Sequence, residues 1–219
     1  DTVLVKLQGG PRTSLLLDIV KNPGEILERE SLEYYNFTLA GLTTIDNRET
    51  YVIKFDQRDG IQYPLYQGNI YIDTESKAFA GLDFSLSEKG MPYASKYLVK
   101  KKPANMKIDV KSGHYLVKYR KENNVWYLNY VRSELEFISK WKQKLFKSDI
   151  QIMLEMAVTD RDSENVEKYT GKESAKLSDI FAEQVQYFED ENYWGDYNTI
   201  KPDESIEVAI EKLNRKLKR

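Results

Sequence analysis

The chain contains no cysteine, which removes disulfides, thiolate nucleophiles, zinc ribbons and cysteine-ligated clusters from its chemistry. That lack suits a reducing cytoplasm and a disulfide-poor periplasm alike, so it does not fix the compartment. There is one histidine, His114, so a multi-histidine metal site is impossible. A serine–histidine–aspartate device would have to use that one ring as its base. No charge of one sign dominates. With 33 basic and 35 acidic residues the formal net charge is −2, which gives no global field for nucleic acid, and nucleic acid is not expected as a partner. No apolar run reaches the ~18 residues of a spanning helix, so no transmembrane segment is expected. Glycine is sparse, and Gly9-Gly10-Pro11 and Gly41 lack the neighbours of a dinucleotide fingerprint or a phosphate loop. Asp160-Arg161-Asp162-Ser163-Glu164 imitates the opening of a calcium loop. It then has Asn165 where glycine is required and Gly171 where the bidentate glutamate belongs, so it reads as a polar turn. No cofactor and no metal is expected.

What is present is tyrosine, 16 in 219 residues, a residue suited to half-buried strands because its ring packs while its hydroxyl reaches water or a partner. Alternation carries the rest. Tyr35, Phe37 and Leu39 alternate, and a turn follows at Asp46-Asn47. Tyr51, Ile53 and Phe55 form a second strand that turns at Arg58-Asp59-Gly60. The spacing predicts strands over 66–73 and 79–86, the latter with Leu82, Phe84 and Leu86 on one face. A short helix is expected over 91–100, with Pro92 near its start and Pro103 beyond its end. Three further strands are expected, 114–120, 126–141 and 150–158. The apolar parity of the second flips, which predicts a bulge or bend near 131–133. Earlier, residues 1–8 read as a strand, Leu15 to Val20 as a short helix or a buried strand, and 25–34 as a weak helix. Late in the chain, Leu177, Phe181, Val185 and Phe188 have helical spacing with Ser178 as cap, and an amphipathic helix is expected from about Asp203. Strands joined by hairpins without βαβ alternation predict an α+β fold, mainly antiparallel β: one domain over 1–219, a curved sheet with short helices on its concave face. A strand pattern at the first residue, with no starting methionine, suggests a piece of a longer protein.

Candidate chemistry is thin. His114, in Ser112-Gly113-His114-Tyr115, reads as a turn leading into a strand. Glu134 and Glu136 share a strand face, with Glu155 on a neighbouring strand. Two carboxyls are enough for glycoside hydrolysis, but alternating acids along a strand are ordinarily its wet face. Lys100-Lys101-Lys102-Pro103 and Lys140-Trp141-Lys142-Gln143-Lys144 are basic clusters of the kind that serve an anionic surface, or simply a solvated edge. The most conspicuous stretch is 191–198, where Tyr193, Trp194 and Tyr197 either rim a pocket or partner surface, or plug one end of the sheet. With Trp141 they are the candidate ligand or partner surface. No catalytic residue is nominated.

Five segments carry a resemblance. They are Asp1-Thr2-Val3-Leu4-Val5-Lys6-Leu7-Gln8-Gly9-Gly10-Pro11, Leu17-Asp18-Ile19-Val20-Lys21-Asn22-Pro23, Gly68-Asn69-Ile70-Tyr71-Ile72-Asp73, Glu155-Met156-Ala157-Val158-Thr159-Asp160, and Tyr193-Trp194-Gly195-Asp196-Tyr197-Asn198 with Pro202. Together the chain resembles the C-terminal region of carboxypeptidase-regulatory-like domain-containing proteins of Gram-negative envelopes. The Gly68–Asp73 strand and the 79–86 strand after it are also similar to hairpins of LolA-like lipoprotein carriers, curved half-barrels that shelter apolar ligands. The resemblance implies a periplasmic or outer-membrane-associated location and no peptidase activity. The expected role is a non-enzymatic envelope domain holding an apolar or lipid-like ligand. The alternative is an interaction module beside outer-membrane receptors or barrels, and a carboxylate hydrolase is the remote third.

Overall fold

The structure, a computed structural model, describes residues 6–142, 146–159, 161, 164 and 166–184. Internal contacts group the chain into two compact units, Asp18–Leu154 on one hand and Asp1–Leu17 with Glu155–Arg219 on the other.

The larger unit is built on β1 (Tyr35–Ile45), β2 (Arg48–Gln57), β3 (Tyr66–Asp73), β4 (Phe79–Leu86), β5 (Met106–Glu122), β6 (Val125–Trp141) and, as far as Leu154, β7 (Lys147–Ala157). They lie in one open sheet in chain order, β1-β2-β3-β4-β5-β6-β7, with antiparallel pairing from β1 through β6. Two of the hairpin turns are formed by residues suited to a left-handed backbone. Asp46 and Asn47 (φ 48° and 62°) join β1 to β2, and Asn123 and Asn124 (φ 48° and 69°) join β5 to β6. A third turn, between β3 and β4, is organised by Asp73, which accepts from the Ser76 N–H at 2.7 Å and from the Ser76 hydroxyl at 2.6 Å. Arg48 grips the same carboxylate with two bonds, 2.6 and 3.0 Å, and Trp126 donates its indole N–H to Ser76 at 3.0 Å. The three turns are thereby pinned together at one end of the sheet.

Register places Phe55, Ile70, Leu82, Phe84, Tyr115, Val117, Val131 and Phe137 on one face. There Phe55, Leu82, Val117 and Val131 are fully buried. Two segments cover this face. The helix between β4 and β5 (Met91–Leu98) sets Ala94 against Leu86, Val110 and Phe137, with Ile150 and Ile152 beside them. Upstream, Ile19 and Ile26 are buried, and the Tyr119 hydroxyl reaches Asp18 at 2.9 Å. Around that residue the chain makes only a helical turn at Gly24–Leu27 and a 3-10 turn at Leu32–Tyr34, where a weak helix was expected.

The expected β3 and β4 match residue for residue. β5 departs from expectation by starting at Met106, eight residues before His114, because a bulge at Lys111 breaks the alternation. The bulge or bend expected at 131–133 of β6 sits instead at Asn129, the residue skipped where Lys118 pairs with Tyr130 and Tyr119 with Leu128.

In the smaller unit a helix runs over Gly10–Leu16, a turn earlier than the apolar run suggests, and a short one over Phe181–Gln184. Gln8 bridges Ile180, the Gly9 N–H donates to the Asp179 carbonyl at 2.8 Å, and Lys6 pairs with Glu183. The helix at Phe181 starts too late for Ser178 to cap it, and the Ser178 carbonyl instead accepts from Gln8 at 3.3 Å. Residues 1–5, Val185, Phe188 and the helix expected from Asp203 lie outside the described residues.

Candidate functional site

β1 is where the buried face opens. Phe37 and Leu39 sit opposite Phe55 and Ile53, on the face that is sealed further in, yet Phe37 is 38% exposed, Leu39 64% and Leu42 57%. Phe37 stacks on Phe55 at 6.2 Å and Tyr35 meets the same ring edge-on at 5.5 Å, so the strand is held firmly from its β2 side. Its other side is the end of the sheet order among the described residues. An edge strand turns alternate N–H and C=O groups outward, and proteins commonly blunt such edges with lysine, proline or inward charges. The sequence of β1, YNFTLAGLTTI, has none of these. Its one blunting device is a bulge between Leu39 and Gly41. The opposite end strand, β7, carries Lys147, Asp149 and Glu155.

The polar face of the sheet holds the titratable groups. Asp83 and Ser85 stand two apart on β4, and His114 lies directly opposite Ser85 with its Nε2 2.7 Å from Asp83 Oδ1. Those residue types are the ones acyl transfer uses. The surroundings are not: His114 and Asp83 side chains are each 44% exposed, and backbone amides here are committed to strand pairing instead of aiming at a substrate oxygen. Tyr71, nearby on the same face, has its hydroxyl pKa raised by burial and by the Asp83 charge. Glu134 pairs with Arg132, and Glu136 meets Lys111 at 3.1 Å, which raises the lysine's pKa through that hydrogen bond. Each carboxylate thus has its own cation. Glu155 belongs to the smaller unit. Among the described residues no group of three or more His, Asp or Glu side chains is placed to hold a metal ion, and no helix is long and apolar enough to cross a membrane.

No protein-family model, curated protein or solved structure matches this chain.

Of the four residues expected to form a ligand or partner surface, Tyr193, Trp194 and Tyr197 lie outside the described residues. Trp141 ends β6, half-buried and paired across to Met106. His114, expected where a turn leads into a strand, sits well inside β5, which begins eight residues earlier. Its neighbour Gly113 is a close-approach glycine: a Cβ there would fall 3.0 Å from Leu86 Cδ1. The reading of individual residues missed two features. The His114–Asp83 pair needs the β4–β5 register, and the open edge of β1 needs the strand order. The one sequence signal for the edge is that eleven consecutive strand residues carry no charge.

Proposed function

We propose that this chain is a non-enzymatic binding module of the cell envelope that accepts an extended segment of a protein partner as an added strand on β1. The single observation carrying this reading is the uncharged, bulge-guarded edge with Phe37, Leu39 and Leu42 exposed along it. Strand addition supplies affinity through backbone hydrogen bonds, and alternate side chains supply selectivity. Here the partner's apolar side chains would lie over Phe37 and Leu39, extending the sealed face by one strand. Absence of charge on β1 selects a partner segment that is itself uncharged, because a charge laid there would lose water without gaining a counter-ion. The test is selection from a random-peptide library, followed by hydrogen exchange on the complex. Alternating apolar and β-branched peptides that protect β1 amides, and that Leu39→Lys rejects, are expected. Protection anywhere else, or no enrichment, refutes the reading.

A second reading keeps the half-barrel expectation. In it the sheet curves around the segments on its apolar face, as LolA-like carriers do, and shelters a lipid-like ligand in the envelope. Packing of Ala94 on Leu86, Val110 and Phe137 favours it, since a helix does lie on that face. The fully buried Phe55, Leu82, Val117 and Val131 count against it, because the centre is already filled by the chain's own side chains. Lipid extraction and mass spectrometry of purified protein decide between the two.

A further inference from the structure

The two basic clusters that stand forty residues apart in sequence meet in the fold. Lys107 is directly opposite Lys140 in the β5–β6 ladder, and Met106 is opposite Trp141. The Lys142 N–H donates to the Asn105 carbonyl at 2.9 Å, and Lys102 Nζ reaches the Met106 carbonyl at 2.7 Å. Ser139 Oγ donates to the Ser148 carbonyl at 3.3 Å, which brings Lys147 alongside. Lys100, Lys101 and Lys102 line a shallow hollow with Val99 and Pro103. All seven of these lysines are exposed. The acids among them are few: Asp109, which meets Lys107 at 2.7 Å, and Asp149, while Glu136 is taken up by Lys111. At the same rim Phe146 is 86% exposed, more than any other large apolar side chain described, and Trp141 is half-buried.

Two features argue against an ordinary solvated edge. Like charges directly opposite in an antiparallel pair are destabilising, and Lys107 faces Lys140 across the β5–β6 ladder, a cost that solvation of the strand ends does not call for. A phenylalanine standing in water beside lysines also contributes nothing to solubility.

We propose that this rim docks on an anionic lipid bilayer, its lysines against the phosphate headgroups and Phe146 with Trp141 entering the interface. Lysine near an anionic surface and an aromatic at headgroup depth attract by different means, the first lost in salt and the second not. A nucleic-acid strand would need a charged track with several stacking rings, whereas here one fully projecting ring stands on a compact basic patch. The inference is independent of the β1 reading, since none of these residues touches that edge.

The experiment is flotation of the purified chain with vesicles of phosphatidylcholine alone, and of phosphatidylcholine containing phosphatidylglycerol at about one third. Binding to the anionic vesicles alone is expected, weakening steeply as salt rises. Lys107→Glu with Lys140→Glu lowers it by about tenfold or more. Phe146→Ser lowers it without changing the slope against salt. A thermal melt checks each variant's fold, and Lys107→Gln with Lys140→Gln, which cannot create new repulsion, repeats the measurement. Equal binding to neutral vesicles, no binding to either, or tighter binding to an oligothymidylate than to the anionic vesicles overturns the proposal.

Discussion

At the scale of single residues, two ionisable groups tie the larger unit together and make its stability depend on pH at opposite ends. Asp73 is 1% exposed, and its carboxyl is held far below the usual carboxylate range, first by the paired hydrogen bonds from Arg48 and then by Ser76. A carboxyl whose folded pKa is depressed stabilises the fold above its unfolded value, ~3.9, and loses that contribution as pH falls through the folded value. Urea midpoints should therefore drop below about pH 4 in the native chain. Asp73→Asn should flatten that drop while costing roughly 1.5–3 kcal/mol at neutral pH through lost charged hydrogen bonds. Tyr119 behaves in the reverse sense. Burial, then the Asp18 charge and the bond to it, raises its hydroxyl pKa well above that of a free tyrosine. Its share of stability is whole below the unfolded value, ~10, and is lost as pH rises past it. Absorbance titration should find Tyr119 among the last tyrosines to ionise, and Tyr119→Phe should remove one late step.

At the scale of elements, much of the fold was readable because the local signals agreed with the tertiary ones. β3 and β4 were legible to the residue although a bulge at Ala80 shifts their register and leaves Ala80, Gly81 and Leu82 buried in a row, and the Asp-Asn and Asn-Asn turns announce the hairpins they make. Where reading failed, a packing demand had replaced the local pattern. Ser112-Gly113 resembles a turn, but the glycine serves Leu86 and Leu135, whose side chains occupy the space of its missing Cβ at 3.0 and 3.2 Å. Lys111 breaks the period because it is the bulged residue. Trp141 was found from sequence as an aromatic among lysines, yet its partner cluster around Lys107 was invisible until the β5–β6 register joined them. Gly68 and Gly113 test this distinction. A Cβ on Gly68 would stand 2.3 Å from the Asp83 carbonyl oxygen and 2.6 Å from Phe84 Cα, main-chain atoms that cannot yield without moving β4. Gly68→Ala should cost at least the upper part of the ~1–3 kcal/mol range for overpacking, and Gly113→Ala, facing flexible leucine ends, the lower part. Denaturant melts of the two variants check the order. A smaller loss for Gly68→Ala would mean that the β3–β4 pairing is looser than described.

At the scale of the whole molecule, strands paired in chain order need few long-range closures, so each hairpin can form on its predecessor. That order leaves the first strand as a sheet end with an apolar, uncharged sequence, which is the pattern that invites unwanted pairing when the protein is concentrated or warmed. Among the described residues the bulge at Ala40 is its one protection, and the strand addition proposed above would be a second that purified protein lacks. Turbidity on mild heating should therefore rise with concentration well below the unfolding midpoint. Leu39→Lys should suppress it while leaving that midpoint within about 0.5 kcal/mol, because Leu39 is 64% exposed and little of its packing is lost. Lysine at Met153, 47% exposed on β7, serves as the control: the same gain in charge on a strand that already carries Lys147 and Asp149 should change the turbidity little. Equal suppression by both would assign the effect to net charge, and the edge of β1 would then have no special part in association.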